Sequence, residues 1–256
     1  MGQAVNSQGR SRRWPAFVAL LVVGAVGSIL FAGCGGDVDN PGAPSTGAAT
    51  SALEGLTADQ VLARTKAAAA SAKSVHVTGD IAEQGQSISI DLQLAGVARG
   101  AGTVIQDGGR IDLVRVGNDL YFKADDKTLN RTVAEGNAEI VKLIGGRYIK
   151  ASVDTEGFAD FAGLLDFVEF VKGALSPDGT ISRVDGKPID GVATVALKDN
   201  DATSGGLLYV ADSGEPYPLR IEPVSGPGGV TMSDWNADVT ITPPPADQVI
   251  DLSALG

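Results

Sequence analysis

Histidine and cysteine are almost absent from this sequence, which has His76 as its only histidine and Cys34 as its only cysteine. Zinc sites and Ser–His or Cys–His nucleophiles need more such residues, and the sequence has no Gly-x-Ser-x-Gly turn. His76 alternates with apolar neighbours in a predicted strand, which favours a solvated or hydrogen-bonded side chain. We therefore predict a non-enzymatic protein without a cofactor; an exported hydrolase is the alternative that these absences disfavour.

Loops that hold phosphate or metal ions are also missing. Residues 100–105 begin Gly-x-Gly but lack the third glycine of a nucleotide-binding loop, and residues 226–229 open no helix. Residues 199–201 weakly resemble the start of a calcium loop, but Ser204 replaces its glycine and Val210 its bidentate glutamate. Calcium binding is therefore only a minor alternative, and no metal site is predicted.

Basic residues are few, since 20 Lys and Arg residues face 31 Asp and Glu residues. Arg10, Arg12 and Arg13 precede residue 34, so the rest of the chain has 17 basic and 31 acidic residues, a net charge of −14. Such a charge repels nucleic acid and anionic lipid headgroups. The sequence predicts no nucleic-acid binding, and it predicts a covalent anchor rather than a basic surface for any membrane attachment.

A single long apolar run follows these arginines. Residues 17–31 are 15 uncharged residues, fewer than the roughly 20 that cross a bilayer comfortably. Basic residues ahead of a short apolar segment are typical of a signal peptide whose start stays in the cytoplasm. The residues Ser11-Arg12-Arg13 leave twin-arginine export open beside the general secretory route.

Small residues and the only cysteine come next. The tetrapeptide Phe31-Ala32-Gly33-Cys34 resembles the bacterial lipobox, although that motif prefers leucine where Phe31 stands. Small side chains suit the peptidase, and a cysteine thiolate is the nucleophile that takes the diacylglycerol. We predict that residues 1–33 are a lipoprotein signal peptide and that Cys34 carries acyl chains, such as palmitate, at the extracytoplasmic face of the cell membrane. An ordinary secretory signal or an uncleaved anchor helix is the alternative.

Residues 34–55 form a predicted disordered tether, because glycine, proline, serine, threonine and alanine dominate this segment. The roughly 17 residues from 35 to 51 would have a root-mean-square end-to-end distance of roughly 20–25 Å. Residues 56–256 then form one domain that is long enough to bury a core. With a lone cysteine this domain has no internal disulfide, so packing must stabilise it.

Three predicted helices interrupt a series of predicted strands. The first helix starts after the cap Thr57 and ends near Lys73; the others span residues 128–144 and 157–175. About ten strands without βαβ alternation predict an α+β fold in which a large antiparallel sheet curls over helices. The predicted strands are 75–81, 88–94, 102–106, 110–116, 120–123, 147–150, 181–184, 192–198, 207–210, 219–222 and 231–241.

The cleanest alternation belongs to residues 88–94, and the two later helices are strongly apolar. One face of that strand and the apolar faces of those helices would form opposite walls of a cavity. On the residues alone, an ordinary filled core is the commoner outcome. The candidate lining residues are Ile88, Ile90, Leu92, Leu94, Ile140, Ile144, Phe158, Phe161, Leu165 and Val168.

A family resemblance rests on short motifs that occur in a fixed order after the lipobox and tether. Over residues 57–252 the chain resembles the LppX/LprG family of mycobacterial and actinobacterial lipoproteins. Tyr148 stands where the family has tryptophan. The motifs are Leu120-Tyr121-Phe122-Lys123, Gly146-Arg147-Tyr148-Ile149-Lys150, Glu215-Pro216-Tyr217-Pro218-Leu219-Arg220, and Ser233-Asp234-Trp235 leading to Val239-Thr240-Ile241-Thr242-Pro243.

This resemblance implies a half-open antiparallel β-barrel with helices on its concave face, similar to the periplasmic lipoprotein carriers. It implies a cavity between sheet and helices that holds the acyl chains of a lipid or glycolipid, and a role in moving lipid through the cell envelope. The expected protein is a monomer with a lipid ligand and an envelope transporter as a candidate partner. A structural or partner-binding envelope lipoprotein with a filled core is the competing interpretation.

Overall fold

The computed structural model describes residues 51–83, 86–132, 138–155, 158–202, 204–223 and 227–251. The side chains of residues 81–86, 131–140 and 160 lie outside this description. The predicted signal peptide, Cys34 and the tether up to residue 50 also lie outside it.

Within the described residues, twelve strands form one curved, unclosed sheet in the order β12-β6-β5-β4-β3-β2-β1-β11-β10-β9-β8-β7. Every neighbouring pair is antiparallel except β12 and β6, which are parallel. The strands are β1 (Ser74–Glu83), β2 (Gln86–Ala95), β3 (Arg99–Gln106), β4 (Gly109–Val116), β5 (Asp119–Ala124), β6 (Tyr148–Ser152), β7 (Ile181–Asp185), β8 (Thr194–Asp199), β9 (Gly206–Ala211), β10 (Pro218–Pro223), β11 (Gly228–Ser233) and β12 (Val249–Asp251).

Helices occupy the concave face of this sheet, and α1 packs against both α5 and β7. The predicted cap of α1 is confirmed, because the Thr57 side chain accepts from the Gln60 backbone and the Gln60 side chain accepts from the Thr57 backbone. The helices are α1 (Ala58–Ser71), α2 (Asp126–Thr132), α3 (Ala138–Ile144), α4 (Ala159–Leu164) and α5 (Phe167–Ala174). The predicted α+β fold class, a half-open barrel with helices inside its curve, is confirmed.

The two ends of the sheet can be told apart by the turns that lie there. At one end, called the closed end below, are the turn at residues 96–98, Asp212 after β9 and Asp234 after β11. At the other, called the open end, are the turn at residues 107–108 and Asp199 at the end of β8. Because cross-strand partners point to the same face, the register identifies the inner face at both ends.

Burial along the inner face changes from one end to the other. Near the closed end, Val75, Leu94 and Leu120 have no exposed surface. Ile111, nearer the open end, is only half-buried, and so is Phe122, the cross-strand partner of the buried Leu113. The inner face is therefore mostly apolar, with Arg115 and Gln106 as exceptions, and its fully buried residues lie mainly toward the closed end.

One predicted helix is broken in the structure. Residues 157–175 were expected to form a continuous helix, but α4 ends at Leu164 and α5 begins at Phe167. The Asp166 backbone is extended, and its carboxylate accepts from the backbone N–H groups of Val168 (3.0 Å) and Glu169 (3.1 Å). A short polar side chain that caps a new helix competes with continuation of the old one. Residues 128–144 correspond to α2 and α3, and residues 133–137 between them lie outside the described residues.

The last predicted strand is too long. β11 ends at Ser233 rather than continuing to residue 241, because Asp234 and Asn236 adopt positive φ angles of 50° and 65° that leave the sheet. The sheet also continues beyond the three prolines at residues 243–245, since β12 follows them and pairs with β6. The three residues of β12 show no clear alternation of apolar and polar side chains, so the sequence did not predict this strand.

The fold begins before residue 56, because residues 51–55 contact the domain. Leu53 is fully buried, and its carbonyl accepts from Arg183 Nη1 at 2.6 Å. Ser51 Oγ donates to Asp212 Oδ1 at 2.5 Å, and Arg64 Nη1 donates to the Ala52 carbonyl at 2.8 Å. Composition alone assigned these residues to the tether; one buried leucine and two arginines hold them on the domain.

A charged cluster crosses the outer face of β9 and β10. Glu222 accepts hydrogen bonds from Lys187 Nζ (2.8 and 3.0 Å), Arg220 Nε (2.7 Å) and the Tyr209 hydroxyl (3.0 Å). Burial by itself raises the pKa of Glu222, but the hydrogen bonds from Lys187, Arg220 and Tyr209 lower it more. The pKa of this carboxyl therefore lies below its ordinary value of 4.5.

Acid unfolding tests this cluster. Because the pKa of Glu222 is lower in the folded state than in the unfolded state, its carboxylate stabilises the fold at pH values above the unfolded-state pKa. This contribution is lost as the pH falls through the folded-state pKa. We expect Glu222→Gln to be less stable than the parent at pH 7 and to lose less stability than the parent between about pH 5 and pH 3. Urea unfolding at several pH values measures this, with the exposed Glu215→Gln as the matched control. Equal losses in parent and Glu222→Gln would contradict the assignment.

Candidate functional site

The predicted lining residues at the closed end form a filled core. Leu92, Leu94 and Leu165 each have no exposed surface, and Leu113 beside them is 1% exposed. Their side chains occupy the space between the sheet and the junction of α4 and α5. At this end the sheet and the helices are in direct contact.

A glycine on β3 allows this close approach. Gly100 is the inner-face partner of Leu94 on one side and of Arg115 on the other. A Cβ atom added to Gly100 would lie 2.6 Å from the Leu165 carbonyl oxygen and 2.9 Å from the Leu165 Cβ. Because these are sterically forbidden distances, only glycine lets the backbone between α4 and α5 rest on the sheet.

An ion pair fixes the same junction. Arg115 Nη1 donates to the Ala162 carbonyl (2.6 Å) and to Asp166 Oδ2 (3.0 Å). The side chains of Arg115 and Asp166 are only 12% and 14% exposed. Asp166 thus accepts from the sheet through one oxygen and caps α5 through the other. Replacing either residue by an uncharged one would leave the charge of the other nearly buried and unpaired.

Substitution of Asp166 separates its two roles. We expect Asp166→Ala to lower the free energy of unfolding by about 2–4 kcal/mol, because a helix cap contributes about 1 kcal/mol and an unpaired buried arginine costs more. Asp166→Asn keeps a capping oxygen and should lose less. Urea denaturation of both variants measures this. Equal stability of Asp166→Ala and the parent would rule out the proposed fixing of the junction.

From the row of Leu113 and Phe122 toward the open end, five apolar side chains remain half-buried, and together they are called the open-end strip. They come from β2, β4 and β5 and from the residue before α4, and all pack against the core. The Phe122 and Phe158 rings lie 4.9 Å apart at an interplanar angle of 30°, so Phe158 joins the sheet to the helical layer. The strip consists of Ile88, Ile90, Ile111, Phe122 and Phe158.

Solved structures of other proteins share this architecture. LprF from Mycobacterium bovis matches with a TM-score of 0.50 and 17% sequence identity, over 73% of this chain and 96% of LprF. The chain has the LprF fold. The predicted resemblance to the LppX/LprG family is thereby confirmed at the level of the fold.

Two further structures match less well than LprF does. The lipoprotein LppX from Mycobacterium tuberculosis has a TM-score of 0.44 and 15% identity, over 72% of this chain and 99% of LppX. A LolA superfamily protein from Nitrosomonas europaea has a TM-score of 0.25 and 13% identity, over 75% of this chain and 96% of its own. No protein-family model and no curated protein matches the sequence.

The other predicted lining residues have different positions in this LprF fold. Phe161 is half-buried and packs on the core, and Ile144 is half-buried at the end of α3. The side chain of Ile140 lies outside the described residues. Val168 is 51% exposed, so its assignment to the lining is corrected. The break at Asp166 is the cause, since Phe167, Val171 and Ala174 are the buried positions of the new helix.

A small apolar crevice also lies at the open end, between α1, the end of α5 and the strands β7–β9. Its volume is about 20 Å³. That space holds about one water molecule and no alkyl chain. No pattern in the sequence indicates that α1 is part of a site, so this crevice was not predicted. Its lining includes Leu62, Leu175, Ile181, Leu197 and Leu208.

The residues considered for catalysis or metal binding have structural partners. His76 lies on the outer face, with Nε2 2.8 Å from Asp91 Oδ1 and Nδ1 3.4 Å from Asp234 Oδ2. The buried Asp199 accepts from the backbone N–H groups of Asp178, Gly179 and Asp201, each at 3.0 Å, which fixes the loop considered for calcium. In the part of the chain that the structure describes, no group of three or more His, Cys, Asp or Glu side chains is placed to hold a metal ion.

The helices within the described ranges are also too short or too polar to cross a bilayer.

Proposed function

We propose that this protein is an envelope lipoprotein that binds an acyl chain of a lipid or glycolipid at the open-end strip and carries or presents it in the envelope. In this proposal Cys34 bears the lipid anchor at the extracytoplasmic face of the cell membrane. An envelope transporter is the proposed partner, and the protein acts as a monomer.

The observation that carries the proposal is the uneven covering of one apolar face. Leu94 and Ile90 are inner-face residues of the same strand, but Leu94 is fully buried and Ile90 is half-buried. The half-buried residues lie on β2 and β4 on either side of the buried Val104 of β3, and they continue to Phe122 on β5, whose ring contacts that of Phe158. Contiguous apolar surface that a fold leaves uncovered commonly marks a binding site.

The energy available from such a surface is sufficient without a charged contact. Each buried methylene contributes about 0.8 kcal/mol, so ten methylenes contribute about 8 kcal/mol. This corresponds to a Kd of about 1 µM before the entropic cost of association is subtracted. The strip can therefore hold part of a long acyl chain by its apolar contacts.

The fold and the sequence support the same proposal from separate observations. The LppX/LprG resemblance implies lipid binding between sheet and helices, and the chain has the LprF fold. The lipobox motif ending at Cys34 implies attachment to the membrane. A protein with an acidic surface that must stay at a bilayer needs a covalent anchor of this kind.

A titration tests this function. A fluorescent C16 fatty acid is added to the Cys34→Ser protein that starts at residue 34. We expect saturable binding at a single site, with competition by unlabelled palmitate and much weaker competition by octanoate, because a shorter chain buries fewer methylenes. Absence of saturable binding would reject the proposal.

A second function is favoured by the closed end. The fully buried Leu92, Leu94 and Leu165 and the 20 Å³ crevice are the features expected of a structural or partner-binding lipoprotein with a filled core. That function predicts no binding in the same titration. We prefer the carrier because a filled core does not account for a strip of apolar residues that are only half-buried.

A further inference from the structure

The first described residues fix the point at which the preceding chain leaves the domain. Ser51 donates to Asp212, which follows β9 at the closed end of the sheet. Two residues later, Leu53 is buried in the core and its carbonyl accepts from Arg183. Whatever precedes Ser51 therefore departs from the closed end.

The open-end strip extends toward the opposite end of the same strands. Ile88 is the third residue from the open end of β2, and Ile111 is three positions from the turn at residues 107–108. A strand of ten residues, the length of β1 and β2, spans about 33 Å. The open end and the departure point are thus separated by about the length of these strands.

This separation exceeds the average reach of the predicted tether. About 17 residues of that composition have a root-mean-square length of roughly 20–25 Å. The chain would have to stretch past the whole domain to bring the open end against the bilayer that holds Cys34. The acidic surface gives no electrostatic attraction that would compensate for this stretching.

We propose that the domain is held with its closed end toward the anchoring bilayer and its open end away from it. Lipid then enters and leaves the strip on the side remote from that bilayer, so the donor or acceptor is a surface other than the membrane that carries the anchor. The orientation rests on the contacts of residues 51–53 and on the proposed anchor at Cys34, whereas its consequence for exchange also rests on the proposed acyl-chain site.

Paramagnetic broadening measures the orientation directly. The protein that starts at Cys34 is coupled through this thiol to a maleimide lipid in nanodiscs that contain a gadolinium-chelating lipid, and its valine and leucine methyl groups are observed. Val97 and Val192, which are 79% and 37% exposed, report on the closed end. Leu143 in α3 is 62% exposed and reports on the open end. We expect at least about threefold stronger broadening at the two valines, given the steep distance dependence of the effect.

A matched attachment provides the control. Cys34→Ser combined with Ala202→Cys moves the coupling to an exposed residue in the loop between β8 and β9, at the open end. The Leu143 methyl signals should then broaden more than those of Val97 and Val192. Equal or stronger broadening of Leu143 in the Cys34-coupled protein would overturn the proposed orientation. Neither measurement needs a bound ligand. A wrong orientation can therefore be distinguished from an absence of fatty-acid binding.

Discussion

Replacing Leu94 with alanine is expected to lower the free energy of unfolding by about 2–5 kcal/mol, toward the upper part of that range. Leu94 has no exposed surface and lies between Val75 on β1 and Gly100 on β3. The space left by its side chain has no neighbour that can fill it, because Gly100 has no side chain and Arg115 fixes the Leu165 junction through Ala162 and Asp166. Urea denaturation followed by circular dichroism measures the change.

The control for this substitution is on the same strand. Gln93→Ala changes the adjacent residue, which lies on the outer face, and should alter the free energy of unfolding by about 0.5 kcal/mol or less. Similar losses in both variants would show that the closed end is not a packed core. A Leu94→Ala protein that unfolds at the same urea concentration as the parent would also show that the closed end is not a packed core.

Replacing Ile90 with glutamate is expected to weaken binding of the fluorescent fatty acid by at least about tenfold, which corresponds to 1.4 kcal/mol. The carboxylate would lie in the open-end strip, where bound methylenes would remove it from water. Ile90 is half-buried, so the loss of stability should be smaller than that of Leu94→Ala. Binding and unfolding are measured on the same preparations.

Gln93→Glu is the charge-matched control for Ile90→Glu, because it adds the same charge to the outer face of the same strand. It should bind the fatty acid as the parent does, and Ile90→Leu should do so as well. Unchanged affinity in Ile90→Glu would remove the strip from the binding site. A loss of affinity in Gln93→Glu would mean that charge alone, wherever it is placed, controls binding.

The sequence predicts much of this fold because alternating and helical patterns are local signals. The alternation of residues 88–94 specifies β2, and Thr57 with Gln60 specifies the start of α1. Two failures have the same origin in local backbone chemistry. Asp166 starts a new helix, and the left-handed residues Asp234 and Asn236 end β11, although the surrounding apolar pattern continues past both.

The candidate site was less predictable from the sequence, because burial depends on partners that are distant in the chain. Ile90 and Leu94 have the same residue class and face, yet only Leu94 is covered by the junction at Leu165. That covering depends on Gly100, whose missing side chain has no periodic signature. Val168 was misassigned for a similar reason, since one capping residue changed which side of the helix meets the sheet.

Native mass spectrometry of the Cys34→Ser protein, starting at residue 34 and purified gently from an actinobacterial host, detects a bound lipid without any added ligand. We expect a species heavier than the polypeptide by the mass of a lipid, which denaturation releases and which Ile90→Glu purified in the same way lacks. A parent protein that shows only the mass of its polypeptide would contradict the acyl-chain site and favour the filled-core lipoprotein.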